Sequence, residues 1–293
     1  MQVHCRVVDL SHHNGSNYDF DAARRSGIWG VIYKASEDTN YVDETYDGAR
    51  KQAKAAGVLW GAYHFFRPGN VEAQAEHFVR TAEPDQDTLL VLDHEDEGCS
   101  LDDVKQWLRS VEQKTGQRPC LYSGHVLKEQ IGDRHDEYLA SCRLWMAQYG
   151  NDPEWPENWE YLWLWQYTDG VEGPTPHNVP GIGNCDCNSW AGSNAELEAS
   201  WSTSDSRPIP EPPHVSMLTS DEIAWIQAAL NLIDNAGLDV DGEWGPLTES
   251  AVKKYQGANV DLVASGYPTK GTVAEMLVEC EAWNTERRAI EVS

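Results

Sequence analysis

Short apolar runs alternate with amphipathic stretches through the first 122 residues, and this alternation leaves the chain few possible architectures. The runs fall at 5–9, 28–34, 58–66, 88–93 and 119–122. Runs of this length, bounded by turn residues, read as buried strands. Between them lie candidate helices at 20–26, 44–56, 71–82 and 101–115. Val71, Ala75, Phe78, Val79 and Ala82 keep a helical spacing, as do Leu101, Val104, Leu108 and Val111. Ser100 with Asp103 forms a capping pair for the last helix, and Gly57 and Gly116 stand where C-caps belong. Repeated strand-then-helix units imply a parallel sheet, closed into a barrel or doubly wound. After residue 140 the rhythm changes. Strands are expected at 144–148, 161–167 and 185–189, with Gly, Pro and Asn filling the gaps and little helix between. The pattern predicts an α/β barrel whose last strands have lost most of their helices.

The fourth run ends in Asp93-His94-Glu95-Asp96-Glu97, four acidic side chains within five residues and no lysine or arginine beside them in sequence. Strand alternation would place Asp93, Glu95 and Glu97 on one face and His94 and Asp96 on the other. Like charges roughly 6–7 Å apart on one face repel and raise at least one pKa. That prepares a general acid to keep its proton near neutral pH. An acidic loop following a core strand is the other reading, and this stretch alone does not separate the two.

Composition removes several function classes. The net charge is −26 and the pI about 4.6, so nucleic acid is excluded as a partner because binding it needs basic phosphate contacts. An anionic membrane surface is disfavoured for the same reason. The 13 tryptophans and 12 tyrosines outnumber the 4 phenylalanines, a bias that suits a carbohydrate-facing surface as well as a core. Seven scattered cysteines argue for reduced thiols over a disulfide framework. Cys185-Asp186-Cys187 lacks the partner ligands a zinc site needs, so no metal and no cofactor are expected. The first six residues lack the basic and apolar regions of a secretory signal, and no 18-residue apolar run is present.

Beyond the barrel, 199–217 reads as a linker, with four prolines among residues 208–213 favouring an extended spacer. Thr219 with Glu222 then opens a helix bearing Ile223, Ile226, Leu230 and Ile233. A turn at 239–246 leads to a second helix with Leu247, Ala251, Val252 and Tyr255. A third stripe, Val273, Leu277 and Cys280, completes a small all-α three-helix domain. The expected organisation is a catalytic barrel at 1–198, the linker at 199–217, the helical domain at 218–283 and a tail at 284–293.

Seven ordered motifs in the first 190 residues resemble those of the glycoside hydrolase family 25 muramidases, a lysozyme family. They are Asp9-Leu10-Ser11 through Asn14-Gly15, Lys34-Ala35-Ser36-Glu37, Gly61-Ala62-Tyr63-His64-Phe65, Asp93-His94-Glu95, Leu144-Trp145-Met146-Ala147-Gln148-Tyr149, Trp165-Gln166-Tyr167, and Gly181 to Asp186-Cys187-Asn188. The resemblance implies a TIM-like (β/α)5(β)3 barrel with Asp9, Asp93, Glu95 and Asp186 gathered at its C-terminal mouth. Each of the four is read here as closing an apolar strand, which is where barrel active sites are assembled. By the same resemblance Glu95 is the general acid. Asp93 is the ionised stabiliser, orienting the substrate N-acetyl group as an internal nucleophile. Asp9 and Asp186 set the local field. Tyr63, Tyr122, Trp145 and Gln166 line the sugar groove, with core packing an equal reading for Tyr122 and Trp145, and Lys34 and Glu37 join the substrate-binding set. His64 is read as a strand-end support. The acidic continuation Asp96-Glu97 departs from the family pattern.

Residues 219–280 resemble the three-helix peptidoglycan-binding domain through Ile226-Gln227, Leu230-Asn231 and the Asp241-Gly242, Gly245-Pro246, Thr248 turn, whose glycines are expected at positive φ. Together the two resemblances imply a muramidase that cuts the β-1,4 bond between N-acetylmuramic acid and N-acetylglucosamine in bacterial peptidoglycan. They imply a phage endolysin, made in the host cytoplasm and released to the wall. The rivals are a bacterial autolysin, a non-catalytic wall-binding or virion protein on a decayed barrel, and a zinc amidase. The retaining or inverting outcome, the preferred wall chemotype and the oligomeric state stay open.

Overall fold

Eight strands close into a barrel. They are β1 (Val7–Leu10), β2 (Gly30–Glu37), β4 (Leu59–Phe65), β5 (Leu89–His94), β6 (Cys120–Ser123), β7 (Leu144–Ala147), β8 (Leu164–Thr168) and β11 (Asp186–Ser189). Neighbours pair in the order β1-β2-β4-β5-β6-β7-β8-β11, and β11 returns to β1. Within the barrel all pairings are parallel except the two made by β11, which runs against both β8 and β1. The short β3 (Tyr41–Val42) adds an antiparallel edge to β2, and β9 (Asn178–Val179) pairs with β10 (Gly183–Asn184) in a separate hairpin. This computed structural model describes residues 4–150, 153–201, 218–259, 268, 272–273 and 275–280. Most of the expected linker, the tail and most of 260–274 lie outside the described residues.

Helices fill each of the first five connections. They are α1 (Phe20–Arg25), α2 (Tyr46–Ala55), α3 (Val71–Ala82), α4 (Leu101–Thr115) and, after β6, the pair α5 (His125–Ile131) and α6 (Glu137–Ala140). Among the described residues no α-helix lies between the strands β7, β8 and β11, so the barrel is (β/α)5(β)3. The pair α5/α6 went unread because each is short, seven and four residues, and carries too few turns to show a period. Around the outside, Val104, Leu108 and Val111 of α4 are buried as the spacing indicated, joined by Trp107, while Leu101 is only partly buried. Ser100 and Asp103 make the reciprocal capping box, and Gly116 closes the helix at φ 73°.

The folded chain continues past the expected boundary at 198. Helix α7 (Asn194–Trp201) carries Ser200 and Trp201 into buried positions. The Trp201 indole donates to the Trp60 carbonyl at 2.8 Å, and the Arg143 guanidinium donates to the carbonyls of Ser200 and Trp201. A Ser-rich composition signalled linker, but a tryptophan with its ring and N–H both satisfied belongs to a core.

The C-terminal unit holds α8 (Ser220–Asp234) and α9 (Pro246–Ala258), with further helix at 272–273 and 275–280. Thr219 and Glu222 form the capping box. Ile226, Ala229, Leu230, Val252, Tyr255 and Met276 make its core. Two expected core positions are corrected. Leu247 is 78% exposed while Thr248 is buried, and Leu277 is exposed while Met276 is buried. Each is a one-residue phase error, decided by packing in short segments where several phases place apolar residues almost equally well. Gly242 takes φ 73°, but Gly245 sits at φ −140° as the N-cap of α9, extended backbone open to any residue. The turn is organised by buried Gln227. Its Oε1 accepts from the Asp241 and Gly242 N–H groups, and its Nε2 donates to Asp241 Oδ1 and the Glu243 carbonyl.

Candidate active site

The acidic residues meet at the mouth formed by the C-terminal ends of the parallel strands. Asp9 lies near the end of β1, and Asp93 is the penultimate residue of β5. Asp186 reaches the same mouth differently from the expectation: it begins its strand instead of ending it. Because β11 is antiparallel, its N-terminal end lies beside the C-terminal end of β1, with Asp186 directly opposite Asp9 in register. Glu95 is one residue beyond β5 and opens to solvent, whereas Asp93 is only 6% exposed.

A buried amide network holds Asp9. Gln166 Nε2 donates to both carboxylate oxygens at 3.1 Å and approaches Asp186 Oδ2 at 3.4 Å. Asn188 Nδ2 donates to Asp9 Oδ1 at 2.8 Å, and its own oxygen accepts from the Trp145 indole N–H at 2.7 Å. Burial lifts Asp9 to about 6 against the pull of these donors. Burial, then the charge of Asp9 and a hydrogen bond to it, lift Asp186 to about 9. The pair therefore shares a proton near neutrality, with Asp186 the donor.

Asp93 and Glu95 form a second pair. Burial and then the Glu95 charge push Asp93 well above the carboxylate range, opposed by the Lys34 ammonium. Crowding by protein raises Glu95 too, against the Tyr122 hydroxyl and the charges of His125 and Lys34. Asp93 Oδ1 is buried and has no hydrogen-bond partner among the described residues, so this oxygen has unused acceptor capacity inside the site. With two carboxyls so placed, one proton is retained to higher pH than a lone carboxyl would hold it.

The remaining expected residues fall into two groups. Tyr63 and Tyr122 sit within the field of the cluster; burial first, and then the charges of the carboxylates, raise both hydroxyls. Tyr122 donates to Gln166 Oε1 at 3.0 Å and reaches Glu95 Oε1 at 3.4 Å. Tyr122 is 7% exposed, Trp145 2% and Gln166 1%. Neither Tyr122 nor Trp145 presents an open ring face; they pack on each other with centroids 4.4 Å apart. Trp145 acts through Asn188 on Asp9, so the expectation of sugar stacking is not met for these two rings. Lys34 Nζ bonds Glu37 Oε2 at 2.6 Å beside the mouth. His64 is a buried support, bonded to Ser36 and Gln74 and stacked on Trp107, and burial lowers it to about 3.

Asp96, isolated in sequence, is paired in space: its Oδ2 lies 3.2 Å from Arg67 Nη1. Glu97 is largely exposed, 4.0 Å from His125. Asn188 and half-exposed Tyr149, whose hydroxyl is raised by burial and by Asp186, Asp169, Asp9 and Glu95, were missed as site residues. Both lie inside the motifs 144–149 and 181–188, which are the signal the sequence offers for them.

The sequence profile of glycosyl hydrolases family 25 matches residues 8–174, more than half the chain and all but one of the barrel strands. The chain belongs to glycosyl hydrolases family 25. A peptidoglycan binding domain profile matches residues 219–276. An autolytic lysozyme of Clostridium acetobutylicum is 30% identical over 256 residues, covering 85% of this chain and 72% of that protein. Among solved structures, a bacterial lysozyme from Streptomyces coelicolor superposes with a TM-score of 0.59 at 26% identity, covering 66% of this chain and 95% of that one. A muramidase from Trichobolus zukalii gives 0.58 at 28%, covering 66% and 97%. As a family 25 member the protein is a peptidoglycan-hydrolysing glycoside hydrolase of the lysozyme type, and it carries its own peptidoglycan-binding domain.

Proposed function

We propose that Glu95 is the general acid that cleaves the β-1,4 bond between N-acetylmuramic acid and N-acetylglucosamine, with Asp93 as its partner. The observation that carries this is the carboxyl pair: a buried carboxyl with an unused oxygen beside a solvent-facing one, both raised and both within the field of Lys34. Glu95 is the member a glycosidic oxygen can approach. It gives its proton to the leaving oxygen as the C–O bond breaks; water then adds its hydroxyl to the anomeric carbon and returns its other proton to the Asp93–Glu95 pair. Asp93, ionised in the field of Lys34 once the shared proton sits on Glu95, stabilises positive charge at the anomeric carbon or holds the N-acetyl N–H. Asp9 and Asp186, clamped by Gln166 and Asn188, fix the field beneath, and Tyr63, Lys34 and Glu37 border the substrate.

General acid catalysis contributes about 10²–10⁴-fold. Glu95→Gln should therefore lose at least 10²-fold in kcat on purified peptidoglycan while still sedimenting with it. Retained activity in that variant would remove Glu95 from the chemistry.

The biological setting proposed is host lysis by a phage endolysin held in the cytoplasm until the membrane is breached. Its support is the thiol inventory: all seven cysteines are free and five are buried, as suits a reducing compartment. The clostridial relative favours a second reading, turnover of the producer's own wall. Expression in a susceptible host distinguishes them. An endolysin lyses cells only after a membrane-permeabilising agent is added, and an autolysin reaches the wall without one.

A further inference from the structure

Glu95 stands beyond the end of β5, so no strand ladder holds it. Its carboxylate receives a 3.4 Å contact from Tyr122. Its neighbours are anchored far more firmly. His94 is buried, with Nε2 3.0 Å from Gln130 Oε1 and its carbonyl accepting from Ser123 Oγ at 2.6 Å. On the other side, Asp96 Oδ1 accepts from the Gly98 N–H at 2.9 Å and the Asp96 carbonyl accepts from the Cys99 N–H at 3.0 Å. That leaves Asp96 Oδ2, which faces Arg67.

Arg67 is itself locked in place. Its Nε and Nη2 both lie 2.8 Å from Glu37 Oε1, and its guanidinium covers the Phe65 ring at 4.5 Å. Buried Gln74 takes its backbone N–H and donates to its carbonyl. Charges thus alternate along Lys34, Glu37, Arg67 and Asp96, linking the chain at and just past the ends of β2, β4 and β5. The Arg67 side chain is 42% exposed and Asp96 25%, so the pair adds little to global stability. What it constrains is geometry.

We propose that Arg67 is a positioning residue: by gripping Asp96 from the Glu37 side, it fixes where the Glu95 carboxyl points. The inference rests on the reading of Glu95 as the acid. A displacement of about 1 Å in a reacting group can cost ~10²-fold in rate, and Glu95 has little else to hold it.

The test uses the full chain and soluble glycan oligomers with Arg67→Met, Asp96→Asn and the double variant. Each single change should lower kcat by roughly 5- to 50-fold with KM within about twofold of the parent and the Tm nearly unmoved. The double variant should be no worse than the poorer single, because both remove one interaction. Arg67→Lys keeps the cation without the planar fork and should recover part of the loss. Unchanged kcat in both singles, or losses that multiply in the double, would overturn the proposal. Glu95→Gln measured alongside separates the two claims: if it stays active the acid assignment fails, whatever Arg67 does.

Discussion

Asp9 and Asp186 face one another across β1 and β11, and their raised pKa values carry a stability consequence. A carboxyl whose folded pKa lies above its unfolded value stabilises the fold while protonated and loses that contribution as pH rises through the folded pKa. With Asp9 near 6 and Asp186 near 9, the barrel should lose stability progressively from about pH 4 to about pH 9. Asp186→Asn keeps the hydrogen-bonding shape without needing a bound proton to do so. It should raise the Tm at pH 8 by roughly 2–4 °C, the shift that about 1 kcal/mol produces in a domain of this size, while reducing activity. A Tm that falls, or that is equal to the parent's across this range, would show that the pair is not strained. At this scale the sequence was informative where motifs ended in carboxylates. It was silent on Arg67 and Asp96, 29 residues apart, because an ion pair made by folding leaves no local pattern. It left Trp145 open between sugar stacking and core packing, and the burial of the ring with its indole N–H committed to Asn188 decides for the core.

Among the elements, the strands were legible because buried parallel strands read as continuous apolar runs. The exception in direction is β11, whose reversal could not be seen in a four-residue segment and which alone explains how a strand-initial aspartate joins strand-final ones. The last turn of α7 has the composition of a linker, yet it packs into the barrel unit. The Trp201 ring lies against Gly30 so closely that a Cβ there would come within 2.5 Å of it. Gly30→Ala should therefore destabilise the barrel by about 1–3 kcal/mol, the usual cost of overpacking. Urea unfolding checks this, and a midpoint matching the parent's would mean that Trp201 is not tightly seated.

For the whole molecule, two units with separate cores divide catalysis from retention on the polymer. A tethered binding module raises the effective concentration of its partner without new contacts at the active site. Removing residues 218–293 should raise the amount of intact wall needed for half-maximal rate by about 10²-fold, the low end of the 10²–10⁴-fold range that linked modules reach, and leave kcat on soluble glycan oligomers unchanged. Equal wall dependence in the two forms would deny the helical unit that role. The central claim is the bond that is cut, and mass spectrometry of the muropeptides released from purified peptidoglycan tests it most directly. Hydrolysis at the proposed bond yields fragments with new N-acetylmuramic acid reducing ends, and Glu95→Gln yields none. Fragments ending in N-acetylglucosamine, or glycan chains left whole with freed amines on the stem peptides, would contradict it.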